Sequence, residues 1–175
     1  LAPIHRLDKA TSGLVLLSAD ASLRADLGRA FAESTVTKEY AALVLGVPHR
    51  KGVVRKPLAD GRRGRPLSAV TRYWSRRRFR NTALLRVRPE TGRKHQIRRH
   101  LHGIGHPIVG DERYRPRRFR AVPGFPGRLW LHCQRLTLPD GRGWEAGLPP
   151  RLETHLEHLA APPPPPRSPG GSLVL

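Results

Sequence analysis

A chain of 175 residues, 38% of them hydrophobic, is long enough for one folded domain with a real core. No run approaches the ~20 apolar residues of a membrane span, and Leu1-Ala2-Pro3-Ile4 leads into charged residues rather than a secretory leader, so a cytoplasmic setting is expected. Thirty-three Lys and Arg oppose thirteen Asp and Glu, and a formal net charge of +20 calls for a polyanion, a phosphate backbone first of all.

In chain order, Leu14-Val15-Leu16-Leu17 reads as a short buried strand after the turn residues Thr11-Ser12-Gly13. Asp20 or Ser22 is placed to cap a helix with Leu23, Leu27, Ala30 and Phe31 at helical spacing. Tyr40 to Leu45 forms a strand that Gly46-Val47-Pro48 ends, and Val53 to Leu58 a weaker one. Residues 60–66 (DGRRGRP) make a basic loop. Ser68 to Trp74 and Thr82 to Val87 pair around a basic turn from Ser75 to Asn81.

Thr91 is expected to cap a second helix, with Ile97, Leu101 and Ile104 on one stripe and Gly103 and Gly105 stopping it. Residues 105–111 read as a turn and short strand, and 112–127 as an Arg- and Pro-rich loop. Leu129 to Leu138 is a strand in which Leu129, Leu131 and Cys133 alternate with Trp130 and His132. Leu152, Leu156 and Leu159 suit a last helix started by Pro149-Pro150. Residues 161–175 are Pro- and Gly-rich, a tail expected to be disordered after a domain of residues 1–160. Strands outnumber helices without regular β-α-β alternation, which predicts an α+β fold with a mixed, largely antiparallel sheet and a few helices.

Two regions carry chemistry. In His5-Arg6-Leu7-Asp8-Lys9, a carboxylate sits in a turn between cations. Such a group serves either as a reactive carboxylate beside a phosphate backbone or as the acceptor of an Asx turn. In Arg93-Lys94-His95-Gln96-Ile97-Arg98, helical spacing places His95, Arg98 and His102 on one face, either lining a cleft or forming a solvated basic surface. A metal site is not expected: the His residues near position 100 have cationic neighbours, and there is a single cysteine, Cys133, read as a small core hydrophobe. No phosphate-binding Gly-rich fingerprint is present, so no nucleotide cofactor is expected.

HRLDKATSGLVLLSA, then Lys38-Glu39-Tyr40 with Ala42, Val44 and Gly46, then TGRKHQIRRHL and GIGHPIVGDERY occur in one order. These blocks, over roughly residues 3 to 138, resemble those of RluA-type RNA pseudouridine synthases. Arg-Arg-His-Leu after Gln-Ile and the long basic loop after GDERY most resemble the branch represented by tRNA pseudouridine synthase C. The resemblance implies an enzyme that isomerises a uridine to pseudouridine in structured RNA, in tRNA first and ribosomal RNA as the alternative, with no cofactor, metal, membrane or obligatory protein partner. It assigns Asp8 as the essential aspartate, Tyr40 as the ring that stacks on the target base, and Arg98 as the arginine that pairs with Asp8. Arg6 would fill the gap left by the flipped base, and Arg93, Lys94 and His95 would lie against the RNA. The family also carries an earlier segment with the first strands of the sheet; this sequence lacks it and has no Met, so N-terminal truncation is expected. A non-catalytic basic RNA-binding module is the competing expectation.

Overall fold

The computed structural model describes residues 1–59, 64–115 and 122–161. Most of the basic loop at 60–66, the middle of the loop at 112–127 and the tail after 161 lie outside these residues.

The frame is a sheet built on β4 (Thr37–Leu45), β8 (Thr71–Arg78), β9 (Thr82–Pro89) and β10 (Leu131–Thr137). Two shorter strands, β5 (Lys51–Val54) and β11 (Gly143–Glu145), form its edges, giving the order β11-β10-β4-β9-β8-β5 with every neighbour antiparallel. β2 (Ser12–Gly13) adds a parallel bridge to β10. Two small pairs stand apart: β1 (Ala2–Pro3) with β3 (Leu17–Ser18), and β6 (Leu58–Ala59) with β7 (Pro66–Leu67). The α+β fold with a largely antiparallel sheet is as the sequence implies.

Side chains alternate along each strand, so register fixes the two faces. Tyr40, Ala42 and Val44 stand opposite Val87, Leu85 and Ala83, and Tyr73 pairs with Val87, which puts all of them on one face, the front. α2 (Gln96–Gly103) covers this face: Gln96 and His100 both bond Thr71, and Ile97 and Leu101 are buried. On the back face lie Leu43 and Trp130, covered by α3 (Pro150–Ala160), whose His155 Nδ1 accepts from Trp130 Nε1 at 3.0 Å. With both faces covered at this level, residues 129–133 are buried without a break, Trp130 and His132 as well as Leu129, Leu131 and Cys133.

α1 (Ala21–Ala32) begins as expected: the Asp20 carboxylate accepts from the N–H groups of Ser22 and Leu23. Its apolar positions are only partly buried. Four other expectations change. Leu14–Leu17 is not a buried strand; Val15 and Leu17 are exposed. The cause is Gly13, whose φ of 123° turns the chain away from β10 after two residues. A Cβ there would fall 2.2 Å from the Cys133 carbonyl oxygen, so only glycine allows this approach. The turn between β8 and β9 is shorter than Ser75–Asn81, because Arg77 and Arg78 pair with Leu84 and Ala83 after a bulge. The strand read over Val53 to Leu58 divides into β5 and β6.

Thr91, finally, does not cap α2. Its hydroxyl donates to Gln96 Oε1 at 2.7 Å and accepts from Val70 N–H, and His95 takes the cap position with no side-chain cap bond.

Candidate active site

The turn that carries Asp8 is closed by backbone: Thr11 N–H donates to the Asp8 carbonyl at 2.8 Å. His5 anchors the preceding segment. Its ring stacks on Phe31 at 4.2 Å, and its Nε2 accepts from Leu16 N–H at 3.1 Å. That acceptor role requires neutral imidazole, and burial pushes the His5 pKa below 6.5 in the same sense. The loop is therefore held by main chain and His5, and the Asp8 carboxylate is left over. Among the described residues no N–H group hydrogen-bonds to it, so the Asx-turn reading is overturned. The side chain is about one-third exposed.

Opposite it stands His95, with Nε2 3.9 Å from Asp8 Oδ1, beyond hydrogen-bond reach. His95 has φ 53° and so precedes the helix proper, but its ring is held by Tyr114, whose hydroxyl lies 3.1 Å from Nδ1. Burial lowers the His95 pKa below 6.5, and Arg98, Arg113 and Lys94 add to this against the pull of Asp8. At neutral pH the pair is a carboxylate facing a neutral ring, not a salt bridge.

Arg98 projects from the first turn of α2 and is buried. It does not pair with Asp8 as expected. Nε and Nη2 each donate to Asp111 at 2.8 Å, a bidentate pair on a carboxylate with no exposed surface. Burial alone would raise the Asp111 pKa, but the Arg98 bonds and the N–H groups of Arg113 and Tyr114 bring it below the ordinary value. Gly110, at φ 77°, sets Asp111 in place; a Cβ there would sit 2.2 Å from the Arg128 carbonyl oxygen. Asp8 still lies within the field of Arg98 and contributes to raising its pKa.

Tyr40 comes from the middle of β4 on the front face. Its hydroxyl pKa is raised well above 10, first by burial, then by the Cys133 thiol, with Asp8 adding in the same direction. Cys133 is buried as read from sequence, and its own pKa is pushed up to about 11. Both groups are neutral at physiological pH, and Tyr40 presents an uncharged ring.

Asp8, Tyr40, His95 and Arg98 thus meet, although they come from a loop, a strand and the start of a helix. Arg6 and Lys94 are exposed at the rim. Arg93 Nε donates to the Ser68 carbonyl at 3.1 Å and ties its loop to the chain before β8. Asp111 and Tyr114 are the members missed by sequence reasoning. Tyr114 touches the whole face that helical spacing grouped: His95 by hydrogen bond, Arg98 at 5.1 Å and His102 at 6.2 Å from its ring centre. A signal for Asp111 existed. A buried guanidinium needs a buried counter-charge, and between Thr91 and Pro139 the only acids are Asp111 and Glu112.

Known proteins resemble this chain in sequence and in fold. A family model described as RNA pseudouridylate synthase matches residues 1–103. Ribosomal large subunit pseudouridine synthase C of Vibrio parahaemolyticus is 36% identical over 171 residues, covering 89% of this chain and 53% of that protein. Ribosomal large subunit pseudouridine synthase D of Pasteurella multocida is 40% identical over 124 residues, which are 65% of this chain and 38% of the relative. The dual-specificity RNA pseudouridine synthase RluA of the same organism is 37% identical over 145 residues, 77% of this chain and 65% of its own length. The structure of human RNA pseudouridylate synthase domain containing 4 superposes with a TM-score of 0.81 at 29% identity, covering 91% of this chain and 76% of that one. The chain spans about half the length, or less, of the first three curated relatives it matches.

Proposed function

We propose, from the premise that this chain belongs to the RluA-type RNA pseudouridylate synthase family, that the protein isomerises a uridine to pseudouridine in structured RNA with Asp8 as the reacting carboxylate. The observation that carries this reading is the Asp8 side chain itself. Among the described residues it is the acid of the site that no donor claims, beside a guanidinium whose own charge is matched by Asp111.

The reaction breaks N1–C1′, turns the freed uracil and rejoins it through C5, whose proton is lost while N1 regains one. Atoms and electrons balance without an oxidant or a cofactor. Attack at C1′ and removal of a sugar proton both require an ionised, unencumbered carboxylate. Arg98 stands near Asp8 while its own hydrogen bonds go to Asp111, which leaves the Asp8 oxygens unencumbered by it. The target base must leave its stack, at a cost of a few kcal/mol. A ring in the position of Tyr40 offsets this by about 1–3 kcal/mol. Arg6 and Lys94 at the rim are placed for phosphates or for the gap in the helix.

For the substrate, ribosomal RNA of the large subunit is favoured over the tRNA that the sequence resemblance suggested. Curated relatives C and D are named for the large ribosomal subunit, and the third is named as dual-specificity. No helix among the described residues is long and apolar enough to cross a membrane. Mapping pseudouridines in ribosomal and transfer RNA from cells lacking the gene tests this. A position lost from large-subunit RNA, and restored by the wild-type gene, supports it. An unchanged map, or a loss confined to tRNA, contradicts it.

A further inference from the structure

Between Tyr40 and Pro89 the chain carries a single acidic residue, Asp60. Arg50, Lys51, Arg76, Arg77, Arg78 and Arg80 lie in this stretch, and all six are exposed. The fold collects them at one end of the sheet. Lys51 of β5 pairs with Trp74 of β8, Arg77 and Arg78 close the β8–β9 hairpin, and the Ser75 N–H donates to the Arg50 carbonyl. Among the described residues none of the six belongs to an ion pair, whereas Arg72, Arg86, Arg98 and Arg135 all do. Arg76 also lines a groove of about 320 Å³ on the back face with Arg86 and Arg135.

Such an arm repels itself in isolation. Arg78 donates to the Pro48 carbonyl at 3.1 Å and Arg77 lies over the Phe79 ring at 5.3 Å, but among the described residues no acid neutralises any of the six. Its position relative to the site follows from register. Tyr40 pairs with Val87, and Leu45, five residues on, pairs with Thr82 at the tip of the hairpin. At ~3.4 Å per residue the tip of the hairpin lies about 17 Å along the strand from Tyr40. That is on the order of half a turn of a nucleic-acid helix. Five of the six are arginines, suited to bidentate phosphate contact.

We propose that the arm formed by β5, β8 and β9 is a second RNA-contact surface, gripping the phosphate backbone of helical RNA that flanks the target uridine. This rests on the reading of the protein as an RNA-modifying enzyme. The arm supplies affinity and register, and the chemistry stays with Asp8.

The test uses the intact protein with Arg50, Arg76 and Arg80 changed together to Gln, and separately together to Lys. Binding is measured to a stem-loop RNA, and to the same loop with its stem trimmed away, across a salt series. For three lost phosphate contacts the Gln variant should bind the stem-loop roughly tenfold to a hundredfold more weakly near physiological salt, with a salt slope shallower by about 2–3. The Lys variant keeps the charge and should stay close to wild type. Binding of the trimmed loop should not change, and kcat on saturating large-subunit RNA should match wild type. Unchanged stem-loop affinity and slope in the Gln variant would overturn the proposal, as would equal weakening in the Lys variant. If the arm proves to bind RNA but the wild-type protein forms no pseudouridine, the arm stands and the catalytic reading falls.

Discussion

Arg98 lays its guanidinium on Asp111 through two 2.8 Å bonds, and Asp8 stands outside that pair. The arrangement separates two tasks. Asp111 satisfies the buried charge, so Arg98 keeps its place without a substrate, while Asp8 accepts no hydrogen bond among the described residues.

Changing Asp111 to Asn should therefore act on stability first. It leaves a buried guanidinium without its counter-charge, and breaking a buried pair costs about 3–5 kcal/mol. It also weakens the acceptor for the N–H groups of Arg113 and Tyr114. Urea unfolding of the intact protein reads this as a large drop in midpoint. A midpoint within error of wild type would mean that Arg98 does not depend on Asp111.

Tyr40 should separate ring from hydroxyl. The hydroxyl is buried beside Cys133 and stays neutral, so its role is to fill space. Tyr40→Phe should keep RNA affinity, whereas Tyr40→Ala should lose about 1–3 kcal/mol of it, the worth of one base–aromatic stack. Filter binding or fluorescence titration checks both. Equal loss in the two variants would place the function in the hydroxyl instead.

The buried histidines predict a pH dependence of stability. Burial lowers the pKa of His5, His95, His100, His132 and His155 below 6.5, so the folded state resists the protons that the unfolded chain takes up. Where the unfolded state binds more protons, stability rises with pH. Stability should thus be level above about pH 6.5 and fall as pH drops from there through the lowered folded values. The Asp111 contribution, with its pKa below 3.8, is lost only at still lower pH. Urea midpoints measured over this range check the sign; a midpoint that rises on mild acidification would refute it.

His155 gives a local version of the same effect. Its Nδ1 accepts from Trp130 Nε1, and its Nε2 donates to the Pro123 carbonyl. His155→Ala leaves the buried indole N–H unsatisfied, at about 1–3 kcal/mol, in addition to the cavity it opens. Thermal unfolding of His155→Gln, which can restore an acceptor, should recover part of the loss.

The local rules read well where a residue acts on its own neighbourhood. Asp20 caps α1 through N–H groups two and three residues away, and Pro149-Pro150 start α3, so both helices were legible. They failed where a distant partner decides. Gln96 draws the Thr91 hydroxyl away from capping α2, and Gly13 is pinned by Cys133, which lies 120 positions along the chain. The site shows the same division. Asp8, Tyr40, His95 and Arg98 were marked by motif, but Tyr114 was not, and the partner of Arg98 was set by which acid the loop after β-bridge residue Ile108 brings inside. Periodicity holds no record of that choice.

The most direct test is pseudouridine formation on large-subunit RNA by purified Asp8→Asn protein, with its unfolding midpoint taken in parallel. Asp8 makes no internal hydrogen bond among the described residues and is partly exposed, so stability should stay within about 0.5 kcal/mol of wild type, while product falls to background. Pseudouridine made at the wild-type rate by this folded variant would contradict the account.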